Sequence, residues 1–140
     1  MGRLASRVAE MLLEGKSVVI FNAEKVVITG SKRAVLERYL RLTRRTWYSS
    51  IREPQVWYPR RPEGILRYTI ARMLPRRKAK GREALERLRV YSGVPDEYAG
   101  VEPLKIDDAL HRSNVNRSGK IVRSLTLGEL SMLLRGGAAD

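Results

Sequence analysis

The chain has 140 residues, no cysteine and a net charge of +13, from 28 Lys and Arg side chains against 15 Asp and Glu. The absence of cysteine excludes disulfides and thiolate metal sites, and no apolar run approaches the roughly 20 residues of a membrane-spanning helix. The 43% hydrophobic content predicts one globular domain over residues 1–140, in a soluble intracellular protein without a signal sequence.

The N-terminal part of the chain predicts two helices around a pair of short strands. Residues 2–14 form an amphipathic helix, and Gly15 is placed to end it in a left-handed conformation. The β-branched and aromatic run at residues 17–22 lacks alternation, which predicts a strand buried on both faces in a parallel sheet. A second short strand is predicted at residues 26–28, and Ser31 can cap the helix that follows.

Residues 43–62 show no stable periodicity and are rich in arginine, aromatic residues and proline. A segment of this length is too long for a simple connection, which marks it as a functional loop. We expect the amides of residues 43–59 to exchange fast in the free protein and slowly once a partner is bound.

The next segment predicts a helix that carries a basic loop. Apolar side chains recur at helical spacing over residues 65–74, with Pro62 just upstream and Pro75 ending the helix. The predicted buried stripe is Ile65, Leu66, Thr69, Ile70, Met73 and Leu74. Arg67 and Arg72 lie on the opposite face, and a run of cations follows Pro75.

Beyond these cations, the pattern predicts a short helix or turn at residues 81–88 and a strand at residues 90–91. Residues 94–119 are polar, more acidic and poor in periodicity. A last strand is predicted at residues 120–125. A Thr-Leu-Gly-Glu capping box at residues 126–129 then opens the final helix.

Most of the positive charge is concentrated in residues 41–89, which have fifteen Lys and Arg against four Asp and Glu, or +11 of the net +13. The Lys and Arg side chains repel one another, which opposes compaction of the chain, and bound phosphate groups would reduce this repulsion. Nucleic-acid binding is therefore favoured over a merely solvated surface. Arginine outnumbers lysine 21 to 7, which favours bidentate phosphate contacts and stacking on bases. The candidate binding residues are Arg44, Arg45, Trp47, Arg60, Arg61, Arg67, Arg72, Arg76, Arg77, Lys78, Lys80 and Arg82.

Seven motifs stand in an order that resembles one known family. They are Gly-Arg-Leu-Ala-Ser at 2–6, Asn-Ala-Glu-Lys at 22–25, Val-Ile-Thr-Gly at 27–30, Arg-Arg-Pro at 60–62, Arg-Met-Leu-Pro at 72–75, Lys-Gly-Arg at 80–82 and Val-Tyr-Ser-Gly at 90–93. Over nearly its whole length the chain is similar to the universal large-subunit ribosomal protein L13 family. Thr-Leu-Gly-Glu-Leu at residues 126–130 resembles the ending of the archaeal branch.

The resemblance implies an α/β fold, with three α/β/α layers around a small, mostly parallel sheet, an extended basic loop and a C-terminal helix. It also implies a structural role in the large subunit of the cytoplasmic ribosome, bound to large-subunit ribosomal RNA and beside neighbouring ribosomal proteins. Family members carry a strand before the Gly-Arg-Leu-Ala-Ser motif, whereas this sequence starts there with Met1. We therefore expect Met1 to be an internal methionine, with the natural protein heavier than 16.0 kDa by on the order of 1–3 kDa.

Three rival classes of function fit the sequence less well. An enzyme would need a convergent acid, base and pocket. The single histidine His111, the adjacent Asp107 and Asp108, and Glu24 do not suggest one, so no catalysis, metal, cofactor or small-molecule substrate is predicted. A membrane-surface helix at residues 65–74 would lack Trp and Phe on its apolar face. A protein that grips duplex DNA would make less use of a long aromatic and arginine loop, which suits irregular RNA better.

Overall fold

The computed structural model describes residues 1–43, 58–111, 114–115 and 118–136. Helices and short strands are mixed along these residues, which confirms the α/β class. The helices and strands are α1 (Gly2–Leu13), β1 (Val18–Ile20), β2 (Val27–Thr29), α2 (Lys32–Thr43), α3 (Pro62–Met73), α4 (Ala79–Glu86), β3 (Leu88–Val90), β4 (Ser124–Thr126) and α5 (Leu127–Leu134). None of the described helices is long and apolar enough to cross a bilayer.

Helix α1 forms and ends as its sequence predicts. Ala5, Val8 and Leu12 recur on one face and are buried in the core. Gly15 has a φ of +98°, and the Lys16 N–H donates to the Met11 carbonyl at 3.1 Å. This is the hydrogen bond of a glycine-terminated helix end, in which a left-handed residue lets the chain turn back on the last free carbonyls.

The strands form two separate ladders, which differs from the single, mostly parallel sheet that was predicted. β1 pairs in parallel with β3, in the register Val18 to Leu88, whereas β2 pairs antiparallel with β4, in the register Ile28 to Leu125. Among the described residues each ladder has only two strands. The side chains of β1 are half-buried, whereas the sequence predicted a strand buried on both faces.

In the order of the chain, α2 precedes residues 44–57 and α3 follows them. Ser31 caps α2 as predicted, because its Oγ accepts a hydrogen bond from the Ala34 N–H at 3.3 Å. α3 packs against α1 and α5 and buries Ile65, Leu66 and Ile70 completely. Met73 was predicted to belong to this buried stripe, but its side chain is 44% exposed. It is the last residue of α3, and Leu74, which follows it, is the buried residue at this end of the helix.

Helix α4 begins two residues earlier than predicted, at Ala79. Lys80 and Arg82 are therefore on a helix rather than in the basic loop. Gly81 and Ala84 are buried on its inner face, and β3 follows with Leu88 in the core. The early start places the positive charge of Lys80 and Arg82 on a rigid element.

The C-terminal part contains two 3-10 turns, Asp96–Tyr98 and Asp107–Ala109, and then a short strand that runs directly into α5. The predicted capping box is present: the Thr126 Oγ1 accepts from the Glu129 N–H at 3.2 Å, and Glu129 accepts from the Thr126 N–H at 2.9 Å. Hydrogen bonds to the Glu129 carboxyl from the Thr126 N–H and, to a lesser degree, from the Thr126 side chain lower the pKa of that carboxyl. The predicted last strand at residues 120–125 is shifted towards the helix, to Ser124–Thr126.

Candidate nucleic-acid interface

The turn between α3 and α4 presents three of the predicted binding residues, Arg76, Arg77 and Lys78, all with exposed side chains. The turn is held by its own backbone. The Lys78 N–H donates to the Pro75 carbonyl at 2.9 Å, and the Gly81 N–H donates to the Lys78 carbonyl at 3.1 Å. Because Pro75 cannot continue α3, the chain leaves the helix there and exposes the next three side chains together.

Gly81 allows α4 to lie against this turn. A Cβ at position 81 would lie 2.2 Å from the Pro75 carbonyl oxygen and 2.4 Å from its carbonyl carbon. Both atoms belong to backbone, which cannot move aside as the end of a flexible side chain could. A glycine is therefore required for α4 to pack here, and this packing sets the position of the α3–α4 turn.

The cations of this region have almost no compensating negative charge. Residues 58–82 contain nine Lys and Arg and one acidic residue, Glu63, which accepts a hydrogen bond from the Ser92 hydroxyl at 2.7 Å. Within the described part of the chain, none of these nine cations forms an ion pair. The ion pairs that do form involve Arg7, Lys16 and Arg41. The positive charge of residues 58–82 is thus not balanced by ion pairs among the described residues.

Apart from the residues of the α3–α4 turn and of α4, four of the predicted binding residues lie at three places along α3. Arg60 and Arg61 precede the helix, about 18 Å from the α3–α4 turn for a helix of twelve residues. Arg67 faces β3, where a guanidinium nitrogen donates to the Leu88 carbonyl at 3.3 Å. Arg72 lies on another side of the helix, next to Tyr68. The predicted single surface is therefore a band along α3 that ends in the α3–α4 turn.

Arg44, Arg45 and Trp47 lie outside the described residues, as does nearly all of the loop at residues 43–59. Their part in binding, and the predicted difference in amide exchange between the free and bound states, stay predictions.

A second feature beside this band escaped the sequence analysis. Arg38 of α2 and Arg72 of α3 line a pocket of about 320 Å³, together with Tyr39, Tyr58 and Tyr68. The rings meet edge to face, with centroids 5.7 Å apart for Tyr39 and Tyr58 and 4.8 Å apart for Tyr58 and Tyr68. The sequence contains only a weak indication of this pocket. Tyr68 and Arg72 are four residues apart on one helix, but their neighbours on α2 lie about 30 residues away in the sequence.

The phenol groups of Tyr39 and Tyr58 stay neutral. Burial above all, and then the neighbouring Tyr39, raise the pKa of the Tyr58 hydroxyl far above its ordinary value. Burial also raises the pKa of Tyr39. Arg38 and Arg72 therefore carry the charged side chains among the residues that line the pocket.

The carboxylates that an enzyme might have used have structural partners. Glu24 accepts a hydrogen bond from the Gly93 N–H at 3.0 Å, 69 residues away in the chain. Asp108 accepts from the Arg7 guanidinium at 2.6 Å and joins the second 3-10 turn to α1. Over the described ranges, no three His, Asp or Glu side chains come together as a metal site would require.

An α/β core with nine cations on and around α3, none of them ion-paired with a described residue, is typical of proteins that bind a polyanion such as nucleic acid. Comparison with known proteins narrows this class. Residues 1–97 match the family model for Ribosomal protein L13. The chain belongs to the ribosomal protein L13 family.

Archaeal relatives match almost the whole chain. It is 42% identical to Large ribosomal subunit protein uL13 of Archaeoglobus fulgidus, over 96% of this chain and 81% of the relative. The protein of the same name from Methanosphaera stadtmanae is 39% identical over 96% and 89% of the two chains. The one from Haloarcula marismortui is 40% identical over 96% and 83%.

Proposed function

We propose that this protein is a structural, non-enzymatic constituent of the large subunit of the cytoplasmic ribosome, where it binds and stabilises large-subunit ribosomal RNA. The family and the names of the archaeal relatives support the place of action. The observation that carries the mode of action is the unpaired charge of residues 58–82, with nine cations and one carboxylate. Phosphates supply the missing counter-charge at many points at once.

In this proposal the α3–α4 turn and its flanking residues make the main phosphate contacts. The residues concerned are Arg60, Arg61, Arg67, Arg72, Arg76, Arg77, Lys78, Lys80 and Arg82. Arg44, Arg45 and Trp47 extend this interface through the loop that precedes α3. If about six to ten phosphates are neutralised, affinity falls log-linearly with salt, with a slope of roughly −4 to −9.

The test of this role is co-sedimentation. The full chain, added in tagged form to the cells that make it, is expected to sediment with large subunits and to remain there through a moderate salt wash. A protein of similar size without a cationic surface, expressed in the same way, serves as the control. Recovery only in the unbound fraction, before any salt wash, would contradict the proposal.

We also propose that the three-layer α/β/α arrangement applies to the complete domain. The parallel β1–β3 ladder supports it, because parallel pairs are normally covered by helices on both faces. The two ladders also share one hydrophobic core, to which Leu88 of β3 and Leu125 of β4 both contribute.

Residues 94–121 support a contact with another protein of the subunit. Six of the large apolar side chains that the described residues expose lie in this segment, among them Leu104 at 78% and Ile121 at 80% exposure. Residues 94–111 have five carboxylates and one lysine, in a chain whose net charge is +13. The acidic, apolar stretch of this segment, residues 94–111, repels phosphate but complements a cationic, partly apolar segment of a neighbouring ribosomal protein, and we propose such a segment as its partner. Three of the four Lys and Arg of residues 94–121 follow that stretch, at positions 112, 117 and 120.

A charge-neutral double variant tests this contact. Leu104→Ser with Ile121→Ser is expected to leave the melting temperature and the affinity for naked ribosomal RNA unchanged, because both side chains are solvent-exposed and uncharged. Retention on large subunits through the salt wash is expected to fall several-fold. Met132→Ser is the matched control, since Met132 is 59% exposed but lies on α5. Retention equal to that of the control would remove this segment from the protein interface.

A further inference from the structure

The pocket between α2 and α3 has the shape and chemistry of a site for a planar anionic ligand. Its volume of about 320 Å³ lies at the lower end of the range for small-molecule sites. Its lining combines aromatic rings and aliphatic side chains with two guanidinium groups, and none of the lining residues is acidic. Apolar walls bind a flat, uncharged ring, and the two arginines at Arg38 and Arg72 favour a negative charge beside it.

The aromatic side chains leave a ring available at the opening of this pocket. Tyr39 is 5% exposed and belongs to the core, whereas Tyr58 and Tyr68 are only half-buried. Tyr58 meets Tyr68 edge to face, so it supports the Tyr68 ring without covering both of its faces. Met73, at 44% exposure, forms an apolar wall next to it.

Arg72 is held only loosely in the free protein. Its guanidinium carbon lies 6.0 Å from the centre of the Tyr68 ring, the outer limit of a cation–π contact. The side chain is exposed, and within the described residues it has no carboxylate partner. It can therefore turn towards a phosphate or stack on a planar group at little cost.

We infer that this pocket receives one nucleotide of the bound RNA, with its unstacked base against Tyr68 and Met73 and its phosphate between Arg38 and Arg72. The inference rests on the proposed RNA-binding function and adds a stacking contact to an interface otherwise made of phosphate contacts. Unstacked bases are bound in this way by aromatic and arginine side chains in single-stranded or irregular RNA. The pocket adjoins the cationic band through Arg72, so one strand of RNA can reach both.

The experiment compares the full chain with three variants on a large-subunit ribosomal RNA fragment that the unmodified protein binds, at several salt concentrations. Tyr68→Leu removes the ring and is expected to weaken binding about 10- to 100-fold with an unchanged salt slope, since no charge is lost. Tyr68→Phe keeps the ring and is expected to bind within about twofold of the unmodified protein. Arg38→Gln with Arg72→Gln is expected to lower the magnitude of the salt slope by roughly 0.7–0.9, because the one phosphate between the two side chains is no longer neutralised.

The matched control is Tyr91→Leu, because Tyr91 is also half-buried and in contact with another tyrosine, Tyr98, outside the pocket. Equal affinities for Tyr68→Leu and Tyr68→Phe would overturn the inference, as would a loss in Tyr91→Leu as large as that in Tyr68→Leu. Failure of the unmodified protein to bind RNA with a salt-dependent affinity would instead overturn the proposed function itself.

A measurement on the unmodified protein is independent of any misfolding that a substitution could cause. Ultraviolet cross-linking of the protein–RNA complex, followed by mass spectrometry, is expected to place a nucleotide adduct on Tyr68. Adducts confined to other peptides would contradict the inference. Adenosine monophosphate supplies the same base and phosphate in free form. Displacement of the RNA by micromolar concentrations of it would assign the pocket to a free nucleotide and overturn the assignment to RNA.

Discussion

Replacement of Arg76, Arg77 and Lys78 together by alanine is expected to weaken binding to large-subunit ribosomal RNA about 100-fold at 0.15 M salt, with little change in stability. If each side chain neutralises one phosphate, the magnitude of the salt slope falls by roughly 2.1–2.7, and the 100-fold figure is that slope difference extrapolated from 1 M salt. The side chains are exposed on the α3–α4 turn and make no ion pair with the described residues, so their removal leaves no buried group without a partner. Filter binding or fluorescence anisotropy over a salt series measures both quantities.

A charge-matched variant separates this turn from the net charge of the protein. Lys16, Lys25 and Lys32 are also exposed, lie outside residues 58–82, and lower the charge by the same three units when replaced by alanine. This control is expected to change the slope by less than one. Similar slopes for the two triple variants would show that overall charge, rather than the α3–α4 turn, drives binding.

Replacement of Gly81 by alanine is expected to destabilise the domain by about 1–3 kcal/mol or more, because the new methyl group would overlap the Pro75 backbone. The separation would be 2.2 Å from the Pro75 carbonyl oxygen, so α4 or the turn has to shift. The melting temperature should fall by several degrees. RNA affinity should fall as well, although no charge is removed, because Arg76, Arg77 and Lys78 move with the turn.

Gly100→Ala is the control for this prediction. A Cβ at position 100 would have no atom within 4 Å, and Gly100 has no positive φ. Thermal unfolding and RNA affinity should both stay close to those of the unmodified protein. A Gly81→Ala variant that melts as high as Gly100→Ala would show that α4 can move away from Pro75 at no cost.

The Gly81 case shows how far local sequence rules reach in this protein. By helix propensity alone, alanine in the interior of α4 is better than glycine by roughly 1 kcal/mol, so a reading of the sequence predicts that the substitution stabilises the helix. The contact that makes the substitution destabilising instead of stabilising lies between Gly81 of α4 and the backbone of Pro75 in the turn before it. The two residues are close in the chain but belong to two parts of the structure. The angle at which those elements pack is not encoded in local propensity.

The binding region shows the same division. The concentration of charge between residues 58 and 82 is evident in composition, and the position of α3 follows from the spacing of Ile65, Leu66 and Ile70 between two prolines. The separation of Arg67 from Arg72, one towards β3 and the other towards Tyr68, depends on what packs around the helix. The tyrosine and arginine pocket depends on the meeting of α2 with α3.

By itself, the sequence determined the helices, their caps at Ser31 and Thr126, the left-handed turn at Gly15, the family and the place of the positive charge. These features depend on residues a few positions apart, where side-chain type and backbone geometry act directly. Only the tertiary structure decided that β2 pairs antiparallel with β4, that Met73 is exposed, that Gly81 must be glycine, and that Arg38 and Arg72 line one pocket. Each of these features depends on which helices and strands pack against one another. The hydrophobic effect is not directional, so one apolar face could pack against many others, and only close packing of the whole core selects among them.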